Sequence, residues 1–325
     1  MRNDVVLNPQ QISVAWLTRV LQKDVASISR IEETSTWSSQ VRLQVSFCDG
    51  SAAALRVKMC TGQTFGRSEV DYYTRDYIDM PAAPLVRCWD ARFDPVAGYH
   101  LLLDDLQGSY SDRRTVAPTR AYGLTVAAAL GRLHRHHWQA QPCPSDQAID
   151  RYFDAVRGGI APMEANTGFP AVKEAQALEG LLRKRLKSNH GMSLLHGDLN
   201  PTNVLTPVDA DGPVYFIDRQ PFDWSLTYAP AAFDLAYFLA LWWPADTRAA
   251  HEQEILRCWH AHLGSESYTW EQAVQDWQLA VRQCLFVPIQ WCSQADKIET
   301  MRWLWVAQLE RVQSAVQSAS RLPAK

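Results

Sequence analysis

Apolar and polar residues alternate over Val41-Arg42-Leu43-Gln44-Val45-Ser46-Phe47, the period-two pattern of a strand with one buried face. Asp49-Gly50 directly after it is a hairpin-turn signal, so Ala52–Met59 returns as the neighbouring strand. Ile28–Glu33 reads as a strand before this pair. Leu85–Asp90 and Tyr99–Leu106 read as two after it, joined by a turn at Asp94-Pro95. Between them Gly66–Met80 reads as a helix. Upstream, Asn8-Pro9 offers a helix cap and a first helical position, and Ile12, Trp16 and Val20 follow at helical spacing. Residues 1–106 therefore predict an antiparallel sheet carrying one inserted helix.

After Gly108 the periodicity becomes helical. Helices are predicted over about 118–139, 170–189, 231–243, 247–262, 269–290 and 295–318, interrupted by one β-like island from Leu194 to Asp218. A β-rich part followed by a helical part is an α+β, two-lobed plan, with domains at 1–107 and 108–325. The 325 residues are 47% hydrophobic and 21% charged, as in an ordinary folded protein. A formal net charge of -3 speaks against a nucleic-acid partner. No apolar run approaches the roughly 18 residues of a membrane span, and MRNDVVLNPQ has no signal-peptide core. Seven Cys at irregular spacings, without a C-x2-C pair, predict free thiols in a reducing compartment, hence a cytoplasmic location.

The island reads Leu194-Leu195-His196-Gly197-Asp198-Leu199-Asn200-Pro201-Thr202-Asn203-Val204-Leu205, and Phe216-Ile217-Asp218-Arg219-Gln220 follows. Asp198 and Asn203 lie five apart on a loop between short apolar strands, which brings a carboxylate and a carboxamide to one edge. Asp218 adds a second carboxylate at the end of an apolar strand. Phosphoryl transfer uses such parts. One carboxylate orients or deprotonates the attacking hydroxyl, and hard oxygen donors hold Mg²⁺ against the phosphates.

This island resembles the aminoglycoside phosphotransferase and choline kinase family. Glu69-Val70-Asp71-Tyr72-Tyr73, Leu101–Leu106 and Phe233-Asp234-Leu235-Ala236 look most like its ecdysteroid-kinase-like branch. The resemblance spans roughly residues 28–245 and implies a two-lobed protein-kinase-like fold. His-Gly-Asp, where protein kinases have His-Arg-Asp, points to a small-molecule acceptor. By the resemblance, Asp198 is the catalytic base and Asn203 and Asp218 bind Mg²⁺. His196 braces the loop, and Asp234 anchors it from the following helix. Gln220, where the family often has an acidic or aromatic residue, is a candidate acceptor contact.

The resemblance also implies a phosphate-gripping Lys on the third strand, paired with a Glu on the inserted helix. Arg56 and Lys58 compete for this role, since residues two apart share one face of a strand. Lys58 matches the family pattern better, with Glu69 as its partner. Thr34-Ser35-Thr36-Trp37-Ser38-Ser39 stands where kinases have a Gly-rich loop; it has no Gly, and Ser38 and Ser39 are the expected phosphate contacts. The hinge would be Leu103–Leu106, with the backbone of Asp104 and Leu106 pairing with the base. ATP is the expected nucleotide, and GTP suits the same residues. The expected function is Mg²⁺-dependent transfer of the γ-phosphoryl group to a hydroxyl of a small organic acceptor. The alternative, a catalytically silent nucleotide-binding regulatory protein, should lack a base or metal residue, and none is missing.

Leu133-His134-Arg135-His136-His137-Trp138 puts only His134 and His137 side by side on a helix, a packing pattern rather than a metal one. Of the 13 Trp, only Trp16, Trp37 and Trp89 precede residue 108, so the excess belongs to the helical part. Trp270, Trp277 and Trp305 fall on apolar stripes and are expected in the core. Trp242, Trp243, Trp291 and Trp303 are candidates for an acceptor pocket that stacks on a ring or faces a cation. The helix is expected to break around Pro288, before Trp291. Acidic residues beyond Asp234 are scattered. This disfavours a polycationic acceptor and favours a neutral, partly apolar alcohol or a single quaternary amine.

Overall fold

The first α-helix begins later than Asn8-Pro9 predicts. Pro9–Gln11 is a single 3-10 turn, and Ser13 caps α1 (Val14–Leu21) by accepting from Trp16 N at 3.1 Å. The hydroxyl satisfies a donor that the first turn would otherwise leave unpaired. The computed structural model describes residues 5–34, 38–62, 65–209, 212–220, 222 and 224–323. These fall into two compact units. The first comprises Met1–Asp112 with Leu205–Asp223, and the second Arg113–Val204 with Trp224–Lys325.

In the first unit, β1 (Val25–Thr34), β2 (Ser39–Phe47), β3 (Ala52–Thr61), β4 (Cys88–Asp94) and β5 (Gly98–Asp104) form one antiparallel sheet in the order β1-β2-β3-β5-β4. The alternation decides its two faces. Val41, Leu43, Val45 and Phe47 of β2 and Leu55, Val57 and Met59 of β3 join Trp16 and Leu17 of α1 in one buried cluster. Arg42, Arg56 and Lys58 are left for the opposite, polar face. The inserted helix is shorter than Gly66–Met80 and changes pitch. α2 (Ser68–Asp71) runs directly into a π turn over Tyr72–Asp76. Tyr110–Ser111, Val204–Pro207 and Tyr215–Phe216 make a small second sheet.

The second unit is helical: α3 (Arg120–His136), α4 (Asp146–Thr167), α5 (Ala171–Arg185), α6 (Ala232–Ala240), α7 (Ala245–Leu263), α8 (Trp270–Gln283), α9 (Phe286–Trp291), α10 (Ala295–Thr300) and α11 (Arg302–Ala319). Met192–Leu194 pairs with Tyr228–Pro230 among them. α4 lies outside the helices predicted from the sequence, and it contains Gly158, Gly159 and Pro162, all poor helix formers. Its stripe Ile149, Tyr152, Phe153, Val156 and Met163 is nonetheless buried. Gly159 is there for contact: a Cβ would lie 1.8 Å from Ile289 O of α9. The predicted helix 269–290 is two, and the break precedes Pro288. That residue has no N–H for Cys284 O, and its ring crowds that carbonyl. The last helix is likewise divided, at Met301. All seven cysteines are free thiols. No helix among the described residues is long and apolar enough to cross a membrane.

Candidate active site

On the polar face of the first unit, Lys58 Nζ donates to Glu69 Oε1 and Oε2 at 2.9 and 2.8 Å and to Asp218 Oδ1 at 3.0 Å. Glu69 is fully buried on α2 and also accepts from the Tyr99 hydroxyl. Burial alone would push the Lys58 ammonium down. The charges of Asp218 and Glu69 outweigh it and hold Lys58 well above its ordinary range, so it stays protonated. Arg56 is engaged elsewhere, by Glu33 at 3.0 Å, Gln40 at 2.7 Å and Asp105 at 3.4 Å. Of the two basic residues on β3, Lys58 is thus the one that reaches Glu69. Asp105 also takes Arg42 at 2.7 Å, a partnership that nothing in the local sequence signals.

At the end of β5, Asp104 N donates to Arg87 O at 3.0 Å, and Asp104 Oδ1 accepts from Trp89 Nε1 at 2.7 Å. Leu106 O accepts from Ser109 N and Tyr110 N. Ser38 and Ser39 are half-buried at the start of β2. The rest of the expected phosphate loop, Ser35, Thr36 and Trp37, lies outside the described residues. Gln220 turns its backbone oxygen to Ser68 Oγ at 2.5 Å.

In the second unit, the residues after Met192–Leu194 form a loop that closes on itself. Gly197 takes φ +80°. The Asn200 side chain caps a 3-10 turn over Pro201–Asn203 by accepting from Thr202 N at 2.8 Å. Leu199 and Val204 are fully buried and pin the loop on both sides. Asn203 Nδ2 reaches back to Asp198 O at 2.8 Å and Oδ2 at 3.2 Å, which is what the five-residue spacing permits. Asp198 Oδ1 accepts from Asn200 Nδ2 at 3.1 Å and from the Tyr237 hydroxyl at 2.6 Å. Asp198 itself is only half-buried.

Asp234 of α6 is buried beneath this loop. Its oxygens accept from the backbone N–H of His196 at 2.6 Å and of Gly197 at 2.8 Å, and from His134 Nε2 at 3.1 Å. Trp259 Nε1 donates to His134 Nδ1 at 3.0 Å, which leaves the ring proton on Nε2, facing Asp234. Burial by itself raises the Asp234 carboxyl, but His134, His196 and the Gly197 N–H more than offset it and hold it below the usual range.

Asp218 and Asn203 each offer a hard oxygen. The Asp218 side chain is 40% exposed, and Asn203, with Nδ2 engaged, accepts at Oδ1 from Thr202 Oγ1 at 3.2 Å. Among the described residues no group of three or more His, Cys, Asp or Glu could hold a metal ion. Mg²⁺ takes one or two protein oxygens and completes its shell with water and phosphate, and the partly exposed Asp218 carboxylate is a donor of that kind.

Residues 83–272, more than half of the chain, match the phosphotransferase enzyme family (APH). The chain belongs to this family. No curated protein matches it. Among solved structures it is similar to a candidate aminoglycoside phosphotransferase from Ralstonia eutropha, with TM-score 0.60 and 12% identity over 94% of this chain and 97% of that one. It is also similar to an ethanolamine kinase from Plasmodium vivax (TM-score 0.52, 11% identity, 90% and 82% covered). A third is an amicoumacin kinase solved with AMP-PNP, Ca²⁺ and Ami (TM-score 0.53, 13% identity, 91% and 89% covered). These likenesses establish the protein-kinase-like fold. Membership is shown for the family and not for a branch within it.

The tryptophans of this phosphotransferase separate by burial. Trp277 and Trp305 are fully buried, as their stripes predict, whereas Trp270 is half-buried against Arg257 and His260. Trp243 is 1% exposed, stacked on Tyr122 and edge-on to Phe238. Trp242 and Trp291 are half-buried, and Trp303 on α11 is 72% exposed. Tyr237 is the site residue that sequence reasoning passed over. Its one signal is position: it lies three residues after Asp234 on the same helix and so on a neighbouring face.

Proposed function

We propose that this phosphotransferase moves the γ-phosphoryl group of ATP to a hydroxyl of a small organic acceptor, with Asp198 as general base. The observation that carries the reading is the Asp198 carboxylate, half-buried and held at both oxygens by Tyr237, Asn200 and Asn203. A carboxylate so restrained accepts the acceptor's proton in a fixed direction. Lys58, kept charged by Glu69, would bind phosphate oxygens, with Ser38 and Ser39 donating to them. The backbone of Asp104 and Leu106 would meet the base. Asn203 and Asp218 would hold Mg²⁺, which neutralises charge on the phosphates when bound. The amicoumacin kinase, solved with AMP-PNP and a divalent ion, supports this pairing of nucleotide and metal.

Among the tryptophans proposed for the acceptor side, Trp242, Trp291 and Trp303 keep exposed surface, and Gln220 is proposed with them. The favoured acceptor is a neutral, partly apolar alcohol or a singly charged amine. The ethanolamine kinase, named for a small amino alcohol, is consistent with that class. The test is ATP turnover with Mg²⁺ against a library of alcohols, amino sugars and choline. An acceptor-dependent rate that falls about 10²- to 10⁴-fold in Asp198→Ala, with nucleotide affinity retained, is the expected result. Full activity in that variant would refute the role of Asp198, and turnover indifferent to every acceptor would favour a regulatory protein.

A further inference from the structure

Asp218 has φ +58°, in the left-handed region that side chains rarely adopt and that Asp tolerates better than most. The next residue explains why it stays there. Arg219 is buried, with its Nη1 donating to Asp76 Oδ2 at 2.5 Å and to Ser68 O at 3.4 Å, and its guanidinium over the Tyr72 ring. Asp76 is buried as well, and its Oδ1 accepts from the exposed Arg75 at 2.8 Å. Ser68 Oγ donates to Gln220 O at 2.5 Å, and Phe65 stacks on Phe222. Arg219, Gln220 and Phe222 are thus tied to both ends of the segment that carries Glu69.

The π turn makes this possible. Glu69 and Asp76 are seven positions apart, and in an unbroken α-helix they would point the same way. The wider turn over Tyr72–Asp76 separates them. Glu69 faces Lys58, and Asp76 faces Arg219. With φ positive at Asp218, two consecutive side chains diverge: Asp218 reaches Lys58 while Arg219 is drawn back into the helix segment.

We propose that the Arg219–Asp76 pair is a positioning clip that holds Asp218 in its left-handed backbone state, with its carboxylate presented for a nucleotide-bound divalent cation. The inference rests on the metal-holding role proposed for Asp218. A merely structural ion pair would affect stability alone. A clip also affects the metal-dependent part of nucleotide binding.

The experiment measures AMP-PNP affinity of the full chain with and without Mg²⁺, by calorimetry, alongside thermal unfolding. In wild type, Mg²⁺ should tighten binding; if it does not, the kinase reading itself is at fault. Asp76→Asn should weaken Mg²⁺-dependent affinity roughly 10- to 100-fold, as loss of a residue that orients a metal ligand does, and leave metal-free affinity unchanged. In an Asp218→Asn background the same substitution should cost nothing further. Arg75→Ala, which removes contacts to Asp76 Oδ1 and to Asp71 but leaves Arg219 on Asp76 Oδ2, should have no effect. Breaking one side of a buried ion pair can unfold a protein, so the pair is also replaced together, as Arg219→Met with Asp76→Leu, which spares the fold. A folded variant of either kind that keeps wild-type Mg²⁺-dependent affinity, or a loss that persists undiminished in Asp218→Asn, overturns the clip.

Discussion

The hydroxyl of Tyr237 donates to Asp198 Oδ1 at 2.6 Å, from a ring buried on α6 edge-on to Phe233. Burial, and then the charge of Asp198, push the phenol well above its usual range, so it remains a donor throughout the working pH range. Tyr237→Phe keeps the ring and removes only this bond. A hydrogen bond to a charged group contributes about 1.5–3 kcal/mol, so kcat should fall about tenfold or more. The affinity for nucleotide should be unchanged. Steady-state kinetics with a titrated nucleotide make the check; a raised KM with intact kcat would show that the ring positions substrate instead.

Lys58→Met strands Glu69, which is wholly buried, without its cation. Removing one partner of a buried pair destabilises by about 3–5 kcal/mol, so the denaturation midpoint should drop clearly. Adding Glu69→Gln should recover much of that loss. Nucleotide binding should not return in the double variant. If stability and binding recover together, Lys58 does not contact phosphate.

The acid limb of stability should depend on Asp234. Its folded carboxyl is held below the unfolded value of about 3.9, so it contributes stability at neutral pH. That contribution begins to fade near the unfolded value and is gone once pH has fallen through the folded one. Asp234→Asn should be less stable than wild type at pH 7 and should show a flatter urea midpoint between pH 6 and about pH 3. Parallel profiles for the two proteins would rule this contribution out.

Gly159→Ala and Gly180→Ala should move stability in opposite directions. At Gly159 the new methyl meets Ile289 O, and α4 must shift from α9 at a cost of about 1–3 kcal/mol. At Gly180 on α5 nothing lies within 4 Å, so Ala should stabilise the helix by about 0.5–1 kcal/mol. Thermal melts of the two single variants decide the matter.

What the sequence determined by itself was local. Alternation over Val41–Phe47 sets which face of β2 is buried, because pleated side chains must point to opposite sides. The same rule puts Arg56 and Lys58 together on the other face, and the spacing of Asp198 and Asn203 lets one loop return on itself. Tertiary structure decided which side chains meet across the chain. It chose Lys58 over Arg56 for Glu69, brought Tyr237 to Asp198 from 39 residues away, and paired Arg219 with Asp76 across 143. It also kept α4 helical through Gly158, Gly159 and Pro162, since the apolar stripe that α4 buries outweighs their poor propensity. Periodicity and spacing record how a segment is oriented along its own axis. They carry no record of the path the backbone takes between segments, and that path sets every one of these contacts.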